Sequence, residues 1–364
     1  MFAHCQNTYP DLLSLQGDLH ADTQRFSLQI CPGTIAFDLA TGRVRVGLTG
    51  FQLAVSGEDP GTFDGQNLIQ NLIQQLSEQC SESHWQILSS QAFSGFSLGS
   101  DGLRGSLNLE GCYSLDYSTT FRLSLTAADM RILDSEGIWH HDIHPNTQGI
   151  LERVLVQHLH QSRLTGWLSY GILGQKTDLD PIDPTAEDLD SMESSPFNDD
   201  QFNDHQLSAL VQSLIHSSGD LPTLLNLTQL DPLHDLKGGQ FMAADFRNVD
   251  LSGADLGRSN LRGSDLSDGD FTEANLSYAR LSGANLSGAL LSNVNFRGAN
   301  LHRASLALAN LSGADLRDAD LSGANLCNVN WGGTQVQGLK WGNNEGITPE
   351  LEDYLRSSGA LFSA

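Results

Sequence analysis

Three residues that alternate in Trp139-His140-His141-Asp142-Ile143-His144 carry the side chains best suited to chemistry in this chain. On a strand, His140, Asp142 and His144 would share one face, because successive side chains point to opposite sides. Two imidazoles and a carboxylate are zinc-type ligands. Their spacing matches no standard metal motif, and a polar strand end with solvated imidazoles is the simpler account. They stand as weak metal candidates, and no cofactor is expected. Cys5, Cys31, Cys80, Cys112 and Cys327 are odd in number and far apart, which gives neither a disulfide framework nor a Cys-x-x-Cys metal pattern. Reduced thiols in a cytoplasmic protein fit this usage. There is no Gly-x-Ser-x-Gly elbow for a serine nucleophile and no glycine-rich phosphate loop. Enzymatic activity is not expected.

The elements that would have to position such residues are unusual. From Phe241 to Trp341 every fifth residue is apolar, 21 times without a break. Phe246, Leu256, Leu266, Leu276, Leu286, Phe296, Leu306, Leu316 and Leu326 are alternate members of the series. Two residues before each apolar position the side chain is usually Ala or Ser, and the residue between is mostly Asp or Asn. A period of five is neither the helical 3.6 nor the strand period of 2, so the chain must turn at each repeat. One large and one small residue then point inward on each short side. No single unit buries its leucine alone, so successive coils must stack. Asp and Asn at one fixed position mark a scaffold, since a catalytic residue needs a unique environment. Cys327 follows Leu326 and should point outward in a row with Ser267 and Ser287.

This pattern resembles the pentapeptide-repeat family, whose motif reads A(D/N)LXX. Ala284-Asn285-Leu286-Ser287-Gly288 and Ala314-Asp315-Leu316 match it directly. The resemblance covers residues 236–342. It implies a right-handed quadrilateral β-helix with four pentapeptides per coil. About five coils would stand roughly 24 Å tall at the ~4.8 Å spacing of neighbouring strands.

The ends of such a stack need caps. Residues 205–235 read as a helical N-terminal cap. Leu207, Leu210, Val211, Leu214 and Ile215 fall at helical spacing behind Asp204 as N-cap, and a second short helix is expected near Leu221–Leu230. Residues 343–364 read as a C-terminal capping helix and tail. Thr348-Pro349 would start that helix and Gly359 would stop it. Leu361 and Phe362 in the tail would cover the last coil or anchor a partner.

Residues 1–176 read as an α+β domain, mainly antiparallel β. Strands are expected at Phe26–Ile30, Thr34–Leu39, Arg43–Val55, Gly105–Leu109 and Thr120–Thr126. Helices are expected around 68–76 and 150–159. No family is recognised in this part. Residues 177–204 hold ten acids and no base and read as an acidic disordered linker.

The net charge of −25 weighs against binding a nucleic-acid backbone or an anionic membrane. No apolar run approaches a bilayer span, and no secretory signal is seen at the start. The charge is uneven: residues 177–235 carry 13 acids and no base, whereas residues 236–364 carry 14 acids and 10 bases. Three functions compete. The first is a non-catalytic protein–protein interaction scaffold, linker or assembly factor in a larger complex. The family's abundance in cyanobacteria points to photosynthetic assemblies as one setting. The second is the DNA mimicry by which some members of this family inhibit type II topoisomerases. It would need dense charge along the rod, and residues 239–342 hold ten acids against eight bases. The third is carriage of an apolar ligand by the N-terminal domain. The scaffold reading is preferred, with a protein partner.

Overall fold

The computed structural model describes residues 4–20, 25–39, 42–48, 52–57, 96–99, 102–105, 107–112, 119–139, 142–164, 169–173 and 204–362. The expected helix around 68–76, the acidic segment 177–203 and His140 lie outside the described residues. These residues form two compact units. One is Met1–Ile138 with Val156–Asp204, and the other is Trp139–Leu155 with His205–Ala364. Residues 139–155, which the sequence reading assigned to 1–176, thus group with the repeats.

In the first unit the strands pair antiparallel. β1 (His4–Asn7), β12 (Ser169–Leu173), β10 (Thr119–Ser124) and β6 (Gln52–Gly57) form one sheet in that order. β2 (Leu13–His20), β3 (Arg25–Pro32) and β9 (Leu107–Cys112) form a second. β4 (Thr34–Leu39) and β5 (Gly42–Leu48) make a hairpin, to which β11 (Met130–Glu136) adds, and β7 (Phe96–Gly99) pairs with β8 (Gly102–Gly105). The expected strand Arg43–Val55 is two strands, β5 and β6, which belong to different sheets. β5 alternates: Val44, Val46 and Leu48 are buried while Arg43 and Arg45 are exposed. Val46 pairs with Ile35 on one side and Ile132 on the other. Helix α1 (Pro145–Arg163) contributes Val156, Leu159 and the following Leu164 to this unit's core. Its end is tied by the Arg163 carbonyl, which accepts from the Tyr9 hydroxyl at 2.9 Å.

The second unit is a four-sided stack. Each inward leucine or phenylalanine is followed two residues on by a residue at positive φ, at every corner from Ala243 to Asn343. The next amide then donates back to the leucine carbonyl, as Ala284 does to Leu281 at 2.9 Å. This is a β-turn with a left-handed third residue, the geometry that glycine or asparagine tolerates best. Four such turns close a coil, so residue i meets residue i+20. Parallel bridges run in that register from Gln240↔Asn260 to Asn325↔Glu345. Phe246, Leu256, Leu266, Leu276, Leu286, Phe296, Leu306, Leu316 and Leu326 are buried, and so are the alanines between them. At about 2–5 kcal/mol for each large-to-Ala loss, this column of apolar side chains dominates the unit's stability.

Helices α2 (Asp204–Ile215) and α3 (Leu221–Thr228) precede the stack, and α4 (Pro349–Ser357) follows it. Leu207, Val211 and Leu214 of α2 are buried. Asp204 is the first residue of α2. Asp220 caps α3 by accepting from the Thr223 amide at 2.9 Å, and Pro222 sits in the first turn. Thr348 caps α4, with Pro349 at its first position.

Candidate interaction surface

The polar position of the repeat has a structural task. The side-chain oxygen of Asp or Asn accepts the backbone amide two residues on, as Asp250 does from Ser252 (3.1 Å) and Asn285 from Ser287 (3.2 Å). This local turn satisfies an amide that the next coil does not reach. The same side chains form ladders between coils. Asn275 donates to Asp255 at 2.8 Å, Asn295 to Asn275 at 3.2 Å, and Asn285 to Asp265 at 3.0 Å. Hydrogen bonds lower several of these carboxyls. Arg247 holds Asp245 down at about 2, and the Ser252 amide and hydroxyl lower Asp250.

Four exposed hydrophobic side chains interrupt the pattern: Met242, Tyr278, Leu290 and Leu308, of which the last two are leucines on consecutive coils. Leu290 stands in a ladder position between Asp270 and Asn310 and is 47% exposed. Leu308 occupies a left-handed corner, at φ 64°, and is 68% exposed. A γ-branched residue in that conformation is strained, and exposure of its side chain gains nothing. Both lie on consecutive coils around the same corner, where Ser287 and Ser305 also meet at 2.8 Å.

The metal candidates are placed differently from the expectation. Asp142 and His144 lie in the turn before α1, where they share no strand face. Pro145 opens a helix there, and the Asn146 amide donates to His144 Nδ1 at 3.3 Å. His144 is thereby a helix cap packed against Gly219, where an added Cβ would come within 2.9 Å of the ring. Among the described residues no three His, Cys, Asp or Glu side chains gather as metal ligands do.

Asn146 is a residue the sequence reading missed. It is 1% exposed, and its amide group pairs with Asp245 in both directions: Nδ2 donates to the Asp245 carbonyl and Oδ1 accepts its amide, each at 2.8 Å. It also donates to the Gly219 carbonyl at 3.0 Å. A side chain here replaces the strand that a preceding coil would have supplied. Nearby, Gly149 lets α1 approach the first coil, since a Cβ would lie 2.4 Å from Phe241. The only sequence signal was His-Pro-Asn, a helix start with a good hydrogen-bonding residue just inside it.

At the far end, β13 (Lys340–Trp341) pairs in parallel with β14 (Leu361–Phe362). The Leu361 amide donates to the Leu339 carbonyl at 2.7 Å, and Gly338 donates to Gly359 at 2.9 Å. Phe362 meets Trp341 edge-on at 5.0 Å, and the Arg356 guanidinium lies 5.3 Å from both rings. The tail backbone therefore extends the last coil, while Leu361 and Phe362 remain 54% and 53% exposed.

A stack with a 20-residue register of parallel bridges defines a β-solenoid. The family is set by its repeats: the pentapeptide-repeat model matches in eight copies over residues 240–277, 279–318 and 295–330. This region belongs to the pentapeptide repeats, and the family implies a right-handed β-helix for it. Similar solved structures include a pentapeptide repeat protein from the Arabidopsis thaliana thylakoid lumen. It is 27% identical over 32% of this chain and 81% of its own, with a TM-score of 0.23. Rfr23 from the cyanobacterium Cyanothece 51142 is 38% identical over 27% of this chain and 64% of its own, with a TM-score of 0.17. QnrB1, a plasmid-mediated fluoroquinolone resistance protein, is 20% identical over 33% and 78%, with a TM-score of 0.23. No curated protein matches the chain. Among the described residues no helix is long and apolar enough to cross a membrane.

Proposed function

We propose that this chain is a non-catalytic scaffold or assembly factor that binds a partner protein through the surface of its stack. The observation that carries this reading is the pair Leu290 and Leu308. Most positions in the repeat are accounted for by packing, turn geometry or ladder hydrogen bonds. These two leucines oppose all three and present adjacent apolar side chains to water, the composition of an interface anchor. The cyanobacterial and plastid origin of two similar structures supports a setting in a photosynthetic assembly.

The test restores the repeat. Leu290→Asn with Leu308→Gly should keep or raise the melting temperature, because glycine relieves the left-handed corner. The same double variant should lose the partner that the parent chain retains in affinity purification from its native host and in reconstitution with the purified partner. Equal retention by parent and variant would remove Leu290 and Leu308 as the anchor. A chain that retains no protein and instead inhibits a type II topoisomerase would replace this reading with DNA mimicry.

A further inference from the structure

The side of the stack that begins at Asn260, Arg280 and Asn300 differs from the rest in charge. Over three consecutive coils it reads Asn260-Leu261-Arg262-Gly263, Arg280-Leu281-Ser282-Gly283 and Asn300-Leu301-His302-Arg303. These twelve residues include three arginines, one histidine and no acid, in a protein of net charge −25. The opposite side of the first two of these coils carries Asp270 and Glu273 and no base. The backbone holds the three rows in register: Leu261 donates to the Arg280 carbonyl at 2.8 Å, Leu281 to Asn300 at 2.7 Å, and Gly283 to His302 at 3.0 Å. Arg280 is half-buried in a ladder position that Asn fills in the coils before and after it. Among the described residues, the guanidiniums of Arg262, Arg280 and Arg303 make no ion pair and no hydrogen bond. The surface between them is open, because a Cβ added at Gly263 or Gly283 would meet nothing within 4 Å.

Unpaired guanidiniums at one side are costly. Partial burial pushes the Arg280 guanidinium down from its ordinary value, and Arg262 beside it pushes the same way. An anion bound between them would relieve both effects, and the planar fork of arginine matches a carboxylate well. The patch is short. Three coils span about 10 Å at the spacing of neighbouring strands, the reach of about three residues of extended peptide. Beyond it, Asp320 occupies the same ladder after Asn300. A nucleic-acid backbone, charged all along its length, would run onto that carboxylate, whereas a short acidic peptide would end before it.

We propose that Arg262 and Arg280, beside Ser282–Gly283, with Arg303 on the next coil leaning over Gly323, form a docking site for an acidic segment of a partner protein. The site lies on the side opposite Leu290, so it is a second surface, separate from the one that carries the scaffold reading. Two surfaces on opposite sides suit a molecule that bridges two neighbours.

The full-length chain is titrated against a labelled short peptide of alternating Glu and Ser, read by fluorescence anisotropy at low and near-physiological salt. Binding should weaken with salt. Arg280→Gln should weaken it about tenfold, the loss of one charge-assisted contact. Arg262→Gln, Arg280→Gln and Arg303→Gln together should abolish it. Arg247→Gln, on another side and bonded to Asp245, should leave it unchanged, and unaltered melting temperatures should show that each variant is folded. Equal binding by the parent and the triple variant overturns the proposal. So does preference for a single-stranded oligonucleotide or for inorganic phosphate over the peptide. Because Leu290 and Leu308 are untouched in these variants, failure here leaves the scaffold reading to its own test.

Discussion

At the residue scale, the corners separate two costs that usually come together. Gly283 sits at φ 70° with nothing within 4 Å of an added Cβ. Gly283→Ala should therefore cost only the left-handed conformation, about 1–2 kcal/mol by thermal or denaturant unfolding. Gly346, at φ 79°, has the Cys327 amide nitrogen 2.4 Å from the same hypothetical atom. Backbone cannot swing aside, so Gly346→Ala should destabilise distinctly more; equal losses would mean that the C-terminal cap is not packed on Cys327. Asn146→Ala removes three hydrogen bonds from a buried site and leaves both polar groups of Asp245 without that partner. A loss of about 1–3 kcal/mol for each unsatisfied group is expected. A variant that melts with the parent would show that water replaces the amide.

At the scale of the element, the coil is the unit of stability. Leu286 and Leu306 are one register apart, and both are fully buried. Leu286→Ala should cost roughly 2–5 kcal/mol through the cavity it leaves. Leu306→Asp should cost more, since a charge would enter a dry column without a partner. The tail is a smaller element with two parts. Its backbone extends the last coil through Leu361 and Gly359, so deleting Gly359–Ala364 should lower the melting temperature. Leu361→Ser keeps those bonds and changes only an exposed side chain, so it should leave stability alone. Any loss of partner binding in Leu361→Ser then reports anchoring, separate from capping.

At the scale of the whole molecule, acid should weaken the fold through the groups that cap it. Asp220 is lowered to about 2 by the Ser218 hydroxyl and then by Thr223, and Asp245 to about 2 chiefly by Arg247. An unfolded aspartate titrates near 3.9. Their folded values lie below the unfolded one, so the stability they contribute is present above about pH 4 and is lost as pH falls through about 2. Asp220→Asn keeps a capping oxygen and removes one titration. Its unfolding midpoint should change less than the parent's between those pH values, and an unchanged pH profile would show that the cap does not contribute.

By itself the sequence determined the solenoid. The five-residue period forces a turn at every repeat, and the alternation of large and small apolar residues specifies what faces inward, so Leu286 and its counterparts were legible without any long-range information. Helices α2 and α4 were legible too, because a capping residue, an early proline or a helical apolar spacing is a local signal. Tertiary structure decided what depends on residues far apart in the chain. It divided Arg43–Val55 between two sheets, a matter of which strand each half pairs with. It made His144 a helix cap, since Pro145 starts a helix where alternation suggested a strand. It set Asn146 against Asp245, 99 residues on, to close the base of the stack. It also placed Arg262 beside Arg280 and put Arg303 on the coil that follows, because an interval near 20 residues becomes adjacency only once the coils are stacked.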